Sequence, residues 1–216
     1  MQILHETHAL QYELFNQKSL LEMALLVAEA FIHSEPMTIN QGFSVDEFAD
    51  YIRLLGAWAE QEKLTVIARD KQTNELVGAM IAADFASASP LEIDNISDKF
   101  KPIMELLEKL EAQYKQDKDI SAGEYLHLYM LAVAPPRRGQ KIAQNLIQTC
   151  LGYGIKKGYR TALTEATHSI SQHIFGKLGF VARHEMLYKQ FTYQGQQVLK
   201  SIEGHTGTIF MDKALV

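Results

Sequence analysis

The sequence has few of the features that crosslink a fold or place it in a membrane. Cys150 is the only cysteine, so an intrachain disulfide is impossible, and no Cys/His cluster has zinc spacing. No run approaches the roughly 18 consecutive apolar residues of a membrane span. The amino terminus lacks the basic and then apolar layout of a signal peptide. We therefore expect a cytoplasmic protein without a metal or membrane contact, stabilised by apolar burial.

Two common phosphate-binding signatures are also missing. No strand is followed by the spaced glycines of a dinucleotide fold, and no Gly-Lys-Ser/Thr sequence is present. The chain also lacks the basic and aromatic pattern of a nucleic-acid-binding surface. We therefore expect no nucleic-acid partner.

Length and composition are those of one well-packed domain. The chain has 216 residues, of which 47% are hydrophobic and 22% charged. No internal repeat or linker divides it, so we predict one domain over residues 1–216.

Residues 1–120 carry a net charge of −11 and residues 121–216 a net charge of +6. The basic half suits a polyanionic ligand and the acidic half a cation or amine, unless the carboxylates only solvate helix faces.

Apolar periodicity predicts a mixed α/β fold. The segment 18–33 has helical spacing and ends before Pro36, and Ser44 and Glu47 form a capping box before a second helix. The nearly continuous apolar run 125–133 predicts a central strand buried on both faces. The other predicted elements are a hairpin of strands 64–69 and 76–83, helices 94–118 (with a possible break at Pro102), 142–157 and 169–178, and strands 160–166, 183–193 and 208–215.

The most informative segment joins the strand that ends at Val133 to the helix that begins at Ile142. Residues 135–143 read Pro-Pro-Arg-Arg-Gly-Gln-Lys-Ile-Ala. A helix amino terminus exposes unpaired N–H groups and the positive end of the helix dipole, so an arginine-flanked glycine turn at this point suits a pyrophosphate.

Residues 133–143 resemble motif A of the Gcn5-related N-acetyltransferases (GNAT), approximately Val-x-Pro-x-x-Arg-Gly-x-Gly-[Ile/Val]-[Gly/Ala]. Lys141 stands where glycine is usual. Residues 175–180, Phe-Gly-Lys-Leu-Gly-Phe, resemble a second GNAT signature. The resemblance extends over most of the chain, with the motif A core at about 124–180. It implies the acyl-CoA N-acyltransferase fold, with a central, mostly antiparallel sheet flanked by helices.

Further segments resemble the insect-type arylalkylamine (dopamine) N-acetyltransferases. Residues 30–37 are similar to their Phe-x-x-x-Glu-Pro-Leu segment, and residues 205–213 to their closing strand. The glutamate before proline is the general base in that subgroup, which implies this role for Glu35. The strand 126–133 also resembles that of vertebrate serotonin N-acetyltransferase. His127 matches the first of its two histidines, whereas Tyr129 replaces the second.

The resemblance implies direct transfer of an acetyl group from acetyl-CoA to an amine. An amine is mostly protonated at pH 7, so a base is needed, and Glu35 and His127 are the candidates, with Tyr129 in a possible proton path. Phe175 replaces the tyrosine that usually protonates the leaving thiolate. Ser171 or Tyr129 could substitute, or the thiolate could leave unprotonated. The residues predicted to bind acetyl-CoA are Leu131, Ala132, Val133, Arg138, Gly139, Gln140, Lys141, Ile142, Ala143, His168 and Phe175.

We therefore predict an acetyl-CoA-dependent N-acetyltransferase that acts on a small primary amine, arylalkylamine-like or polyamine-like. A protein lysine or N-terminal acetyltransferase is one alternative. A non-catalytic acyl-CoA-binding sensor is another, since Lys141 and Phe175 depart from the family pattern. We expect a monomer or a homodimer.

Overall fold

An eight-stranded sheet forms the centre of the computed structural model, which describes residues 2–87 and 96–215. Its strands are Ile3–Glu6 (β1), Leu10–Leu14 (β2), Val66–Asp70 (β3), Leu76–Asp84 (β4), Tyr125–Val133 (β5), Thr161–Ala166 (β6), Val181–Leu187 (β7) and Gly207–Ala214 (β8). Their spatial order is β1-β2-β3-β4-β5-β6-β8-β7. Among the described strands only the β5–β6 pair is parallel. This arrangement confirms the predicted fold class.

Helices cover both faces of the sheet. They are Leu20–Ser34 (α1), Pro36–Gln41 (α2), Val45–Glu62 (α3), Lys101–Lys115 (α4), Ile142–Lys157 (α5) and Ser169–Lys177 (α6). The apolar sides of α1, α3 and α4 share one core with the sheet, and α5 and α6 share the core on the opposite face. None of the described helices combines the length and apolar character needed to cross a bilayer.

Three predicted elements need correction. The predicted helix 94–118 is a 3₁₀ turn at Asp98–Phe100 followed by α4, and its first two residues lie outside the described residues. Pro102 lies in the first turn of α4, where no intrahelical N–H bond is lost, so it does not break the helix. The predicted strand 183–193 is wrong beyond Leu187, where the chain turns. The central strand was predicted to be buried on both faces along its length, but its residues 129–131 are half-buried beside a cavity.

Three described elements were not predicted from the sequence. β1 and β2 form one edge of the sheet, where β2 pairs with β3. The short helix α2 begins at Pro36, in the first helical position, where proline has a suitable φ and its missing N–H costs nothing. Glu35 therefore links two helices and is buried.

A gap between β5 and β6 positions the functional site. The two strands pair only where Tyr125–His127 face residues 161–163, after which the Thr164 hydroxyl donates to the Leu128 carbonyl at 2.9 Å. On the other side, Ile81 and Ala82 of β4 face Met130 and Leu128, so Tyr129 is the extra residue of a β-bulge. Parallel strands that part at their carboxyl ends leave unpaired main-chain groups facing the gap.

Candidate active site

A cavity of about 580 Å³ opens where β5 and β6 separate. Every predicted site residue lines it except His127 and Gln140. One half is bounded by the 137–144 segment and α6. The other half is bounded by apolar and aromatic side chains of α1, α3, the 3₁₀ turn before α4, α4 and β5, namely Phe31, Phe48, Tyr51, Phe100, Ile103, Met104, Leu107 and Tyr129.

The turn before α5 has an unusual backbone. Gly139 and Lys141 have φ values of 80° and 61°, in the left-handed region. Glycine adopts this conformation freely, whereas for lysine it costs about 1 to 2 kcal/mol. No side chain caps the amino terminus of α5 at Lys141, so its first N–H groups remain available to an anion. Lys141 thus keeps the turn that glycine would form and adds a positive charge.

Two arginines lie beside this turn, and their contacts differ. Arg137 Nη2 donates to Asp70 Oδ2 at 2.7 Å, and this bond, together with two backbone N–H donors, lowers the pKa of Asp70 to about 2. Arg138 is exposed and makes a long contact of 3.4 Å with the Ser34 hydroxyl. The Arg138 guanidinium therefore keeps most of its donors for a ligand. Arg137 also lines the cavity, although the sequence analysis did not include it in the site.

Glu35 is a buried carboxylate at the junction of α1 and α2. Its Oε2 accepts hydrogen bonds from the Thr38 N–H and hydroxyl, both at 2.6 Å, and its Oε1 accepts from the Met37 N–H at 3.2 Å. Each carboxylate oxygen has two lone pairs, so Oε1 keeps one for a further donor. Helix capping fixes the group, and Oε1 can still receive a proton, directly or through water.

Tyr129 is paired with a tyrosine of α3. Its hydroxyl lies 2.6 Å from that of Tyr51, and both residues line the cavity. Burial raises the pKa of Tyr129 to about 12 and that of Tyr51 well above its ordinary value. Both phenols therefore keep their protons at neutral pH and can act as donors. The sequence analysis did not include Tyr51 in the site.

His127 lies outside the cavity wall and contacts a residue that belongs to it. Its Nε2 is 2.6 Å from Oε2 of Glu165, and the two side chains are 7% and 5% exposed. Burial disfavours the charged imidazole, but the neighbouring Glu165 charge and hydrogen bond outweigh this and raise the pKa of His127 above its ordinary value. His127 is therefore the buried partner of a carboxylate, at a position where the sequence analysis considered a base.

The amino terminus of α6 engages two of the predicted site residues. His168 Nδ1 accepts from the Ile170 N–H at 2.9 Å, and the Ser171 hydroxyl donates to the His168 carbonyl at 2.7 Å. Partial burial, with His205 and Arg138 nearby, lowers the pKa of His168, which favours the neutral imidazole. Phe175 is buried against Phe180 with ring centroids 5.0 Å apart.

Comparison with protein-family models matches residues 30–180 to the acetyltransferase (GNAT) family. The chain belongs to this family. Comparison with curated protein sequences finds no match. Since GNAT proteins are acyltransferases, the prediction of an acyltransferase is confirmed.

Several solved structures share the fold of this GNAT chain. The C-terminal condensation domain of Ebony, in complex with β-alanyl-dopamine, has a TM-score of 0.87 at 14% identity, covering 95% of this chain and 98% of that one. Arylalkylamine N-acetyltransferase 2 from Aedes aegypti has a TM-score of 0.80 at 18% identity, covering 96% and 99%. A polyamine N-acetyltransferase from Drosophila melanogaster that forms N-acetylagmatine has a TM-score of 0.76 at 16% identity, covering 95% and 99%. At these identities the likeness shows the fold alone.

The GNAT cavity brings most of the predicted residues together. Glu35, Tyr129 and Ser171 line it with all the predicted cofactor-binding residues except Gln140, which is exposed. Glu165 was missed, although a charged residue in the otherwise uncharged strand Thr-Ala-Leu-Thr-Glu-Ala is a detectable signal, because a buried charge needs a partner. The sequence alone does not give its pairing with His127.

Proposed function

We propose that this protein transfers an acetyl group from acetyl-CoA to the primary amine of a small arylalkylamine-like molecule. The observation that carries the proposal is one continuous cavity that joins an anion-binding turn to an aromatic pocket containing a buried carboxylate. GNAT enzymes use acetyl-CoA, and the uncapped start of α5 with Arg138 and Lys141 suits its diphosphate.

The lining of the aromatic half favours an aryl group on the acceptor. Aromatic rings line it, and the carboxylates among the described lining residues are Glu35 and Glu165. An arylalkylamine presents one ammonium and one ring, which match this lining. A polyamine could also pair with these carboxylates, but its aliphatic chain lacks the ring contacts that contribute about 0.5 to 1.5 kcal/mol beyond area burial.

Different residues of the cavity act in the successive steps of direct transfer. Glu35 Oε1 accepts the proton of the ammonium, so that the amine nitrogen can form a bond to the acetyl carbonyl carbon. Main-chain N–H groups of residues 131–133 that face the gap stabilise the negative charge that develops on the carbonyl oxygen. As the carbon–sulfur bond breaks, the sulfur takes a proton from Tyr129, which Tyr51 orients, and the second proton released by the amide nitrogen returns to the Tyr129 oxygen. The Ser171 hydroxyl is the second candidate donor, although it is already bonded to the His168 carbonyl.

Release of CoA thiol with a panel of acceptors tests the proposed function. We expect turnover with 2-phenylethylamine, slower turnover with agmatine, and background rates with peptides that offer a lysine or a free amino terminus. The fastest rate on a peptide would favour a protein acetyltransferase. Acetyl-CoA binding without thiol release for any acceptor would favour a sensor, and either result contradicts the proposal.

Substitution of Arg138 with alanine should weaken acetyl-CoA binding. An exposed charge-assisted hydrogen bond to phosphate contributes about 1 to 2 kcal/mol, so we expect the dissociation constant to rise roughly 5- to 30-fold in calorimetry. Arg160→Ala is the matched control, because Arg160 is exposed and does not line the cavity. An unchanged constant for Arg138→Ala, or an equal rise for Arg160→Ala, would remove Arg138 from the diphosphate site.

A further inference from the structure

Glu165 is a buried carboxylate for which the proposed mechanism has no use. It lies near the end of β6 and forms part of the cavity wall. Its Oε2 lies 2.6 Å from His127 Nε2, whereas its Oε1 is buried with no hydrogen-bond partner in the described part of the chain. A buried acceptor without a partner is unfavourable. A ligand in the cavity that Glu165 lines can supply the missing donor.

The surroundings of this carboxylate are apolar on the acceptor side of the sheet. Glu165 faces Phe210 in the β6–β8 register, and the Phe210 ring packs against Phe85. The His127 ring lies edge-on to Phe85 and to Tyr129, with centroids 5.3 Å apart in both pairs. In such surroundings a carboxylate interacts strongly with a nearby cation or N–H donor. His127 satisfies one oxygen and leaves the other available.

We propose that Glu165 Oε1 accepts a hydrogen bond from the amino group of the acceptor, and that His127 is a positioning residue acting through Oε2. The inference rests on the proposed function, because it requires an amine in the aromatic half of the cavity. The two carboxylates of the cavity then have different roles. Glu35 receives the proton, and Glu165 binds the nitrogen.

Two probes that differ in one group test this contact. 2-Phenylethylamine and 2-phenylethanol share a ring and a two-carbon chain, and end in an ammonium and a hydroxyl group. Because hydrogen bonds between ionised partners are about twice as strong as neutral ones, we expect the CoA-saturated wild type to bind the amine at least about tenfold more tightly at pH 7. In Glu165→Gln this ratio should fall at least about threefold relative to the wild type, since the amide is neutral while Glu35 remains in place. Calorimetry measures both dissociation constants.

His127→Gln is the comparison variant. Glutamine keeps a donor for Glu165 Oε2 and leaves the carboxylate charge in place, so the preference for the amine should persist. A purely structural role for Glu165 would instead change the affinities for both probes together, along with the melting temperature. The CoA dissociation constant of each variant is measured as the control for an intact cofactor site.

Each outcome has a separate meaning. An unchanged amine-to-alcohol ratio in a Glu165→Gln protein that still binds CoA overturns the inference. A wild type that binds no CoA, or releases no thiol with any amine, contradicts the proposed function instead. If Glu165→Gln does not fold, Glu165→Asp keeps the charge but withdraws it by one methylene, and an unchanged ratio in that variant also overturns the inference.

Discussion

Replacing Glu35 with glutamine is expected to lower kcat about 100-fold or more, because a positioned general base contributes about 100- to 10,000-fold to such a step. Glutamine has nearly the same shape and keeps one acceptor for the N–H groups of α2, but it cannot take a proton. The dissociation constant of acetyl-CoA should change little, because Glu35 lies at the α1–α2 junction and the turn proposed to bind the diphosphate, residues 138–143, lies before α5. Steady-state kinetics with 2-phenylethylamine and calorimetry with acetyl-CoA provide the two readouts.

Loss of a helix cap is the competing explanation for such a result. Glu35 caps α2, and removing a cap costs about 0.5 to 2 kcal/mol of stability. Ser44→Ala removes the cap of α3 in the same half of the protein, at an exposed residue outside the cavity. We expect it to lower the melting temperature without a comparable loss of turnover. A Glu35→Gln enzyme with full turnover, or equal losses in both variants, would show that Glu35 is not the base.

Most of the residues proposed to bind the cofactor line one cavity, and local patterns in the sequence are enough to find them. The turn at 138–143 depends on neighbours in sequence: a strand that ends before two prolines, a glycine with positive φ, and the amino terminus of α5. A short motif can specify such a turn because its conformation and its N–H groups come from consecutive residues. The motif does not explain why glycine is usual at the position of Lys141. The structure gives the reason, because this residue has a φ of 61°, in the left-handed region that favours glycine.

The acceptor half could be predicted only in part, because its contacts join residues that are distant in sequence. Tyr51 and Tyr129 are 78 positions apart, and His127 and Glu165 are 38 apart. Whether His127 acts as a base or as the partner of a carboxylate depends on the residue that the β5–β6 register places beside it. No spacing rule within one segment contains that information. The residues that line the cavity were therefore easier to predict from the sequence than the residue that each of them contacts.

The buried pair of His127 and Glu165 should dominate the stability of this region. Removing one member of a buried ion pair typically costs about 3 to 5 kcal/mol, because an uncompensated charge remains, whereas replacing both members with apolar residues is often neutral. We expect His127→Leu to lower the free energy of unfolding by about 3 kcal/mol or more, and the double variant His127→Leu/Glu165→Leu to recover most of that loss. Chemical denaturation of the wild type, both single variants and the double variant gives the four free energies of a double-mutant cycle.

The raised pKa of His127 also predicts how the stability of the protein changes with pH. Since the pKa of His127 is raised in the folded protein, its stabilising contribution is complete below its unfolded pKa of about 6.5 and is lost as pH rises through the folded value. The groups that face His127 are Glu165 on β6, Tyr129 on β5, and Glu111 and Lys115 on α4. The wild type should therefore lose stability relative to the double variant as pH rises above neutrality, and Lys115 moderates the effect because its charge lowers the pKa of His127. A stability difference that is flat with pH, or that grows toward alkaline pH, would mean that the imidazole is buried without charge.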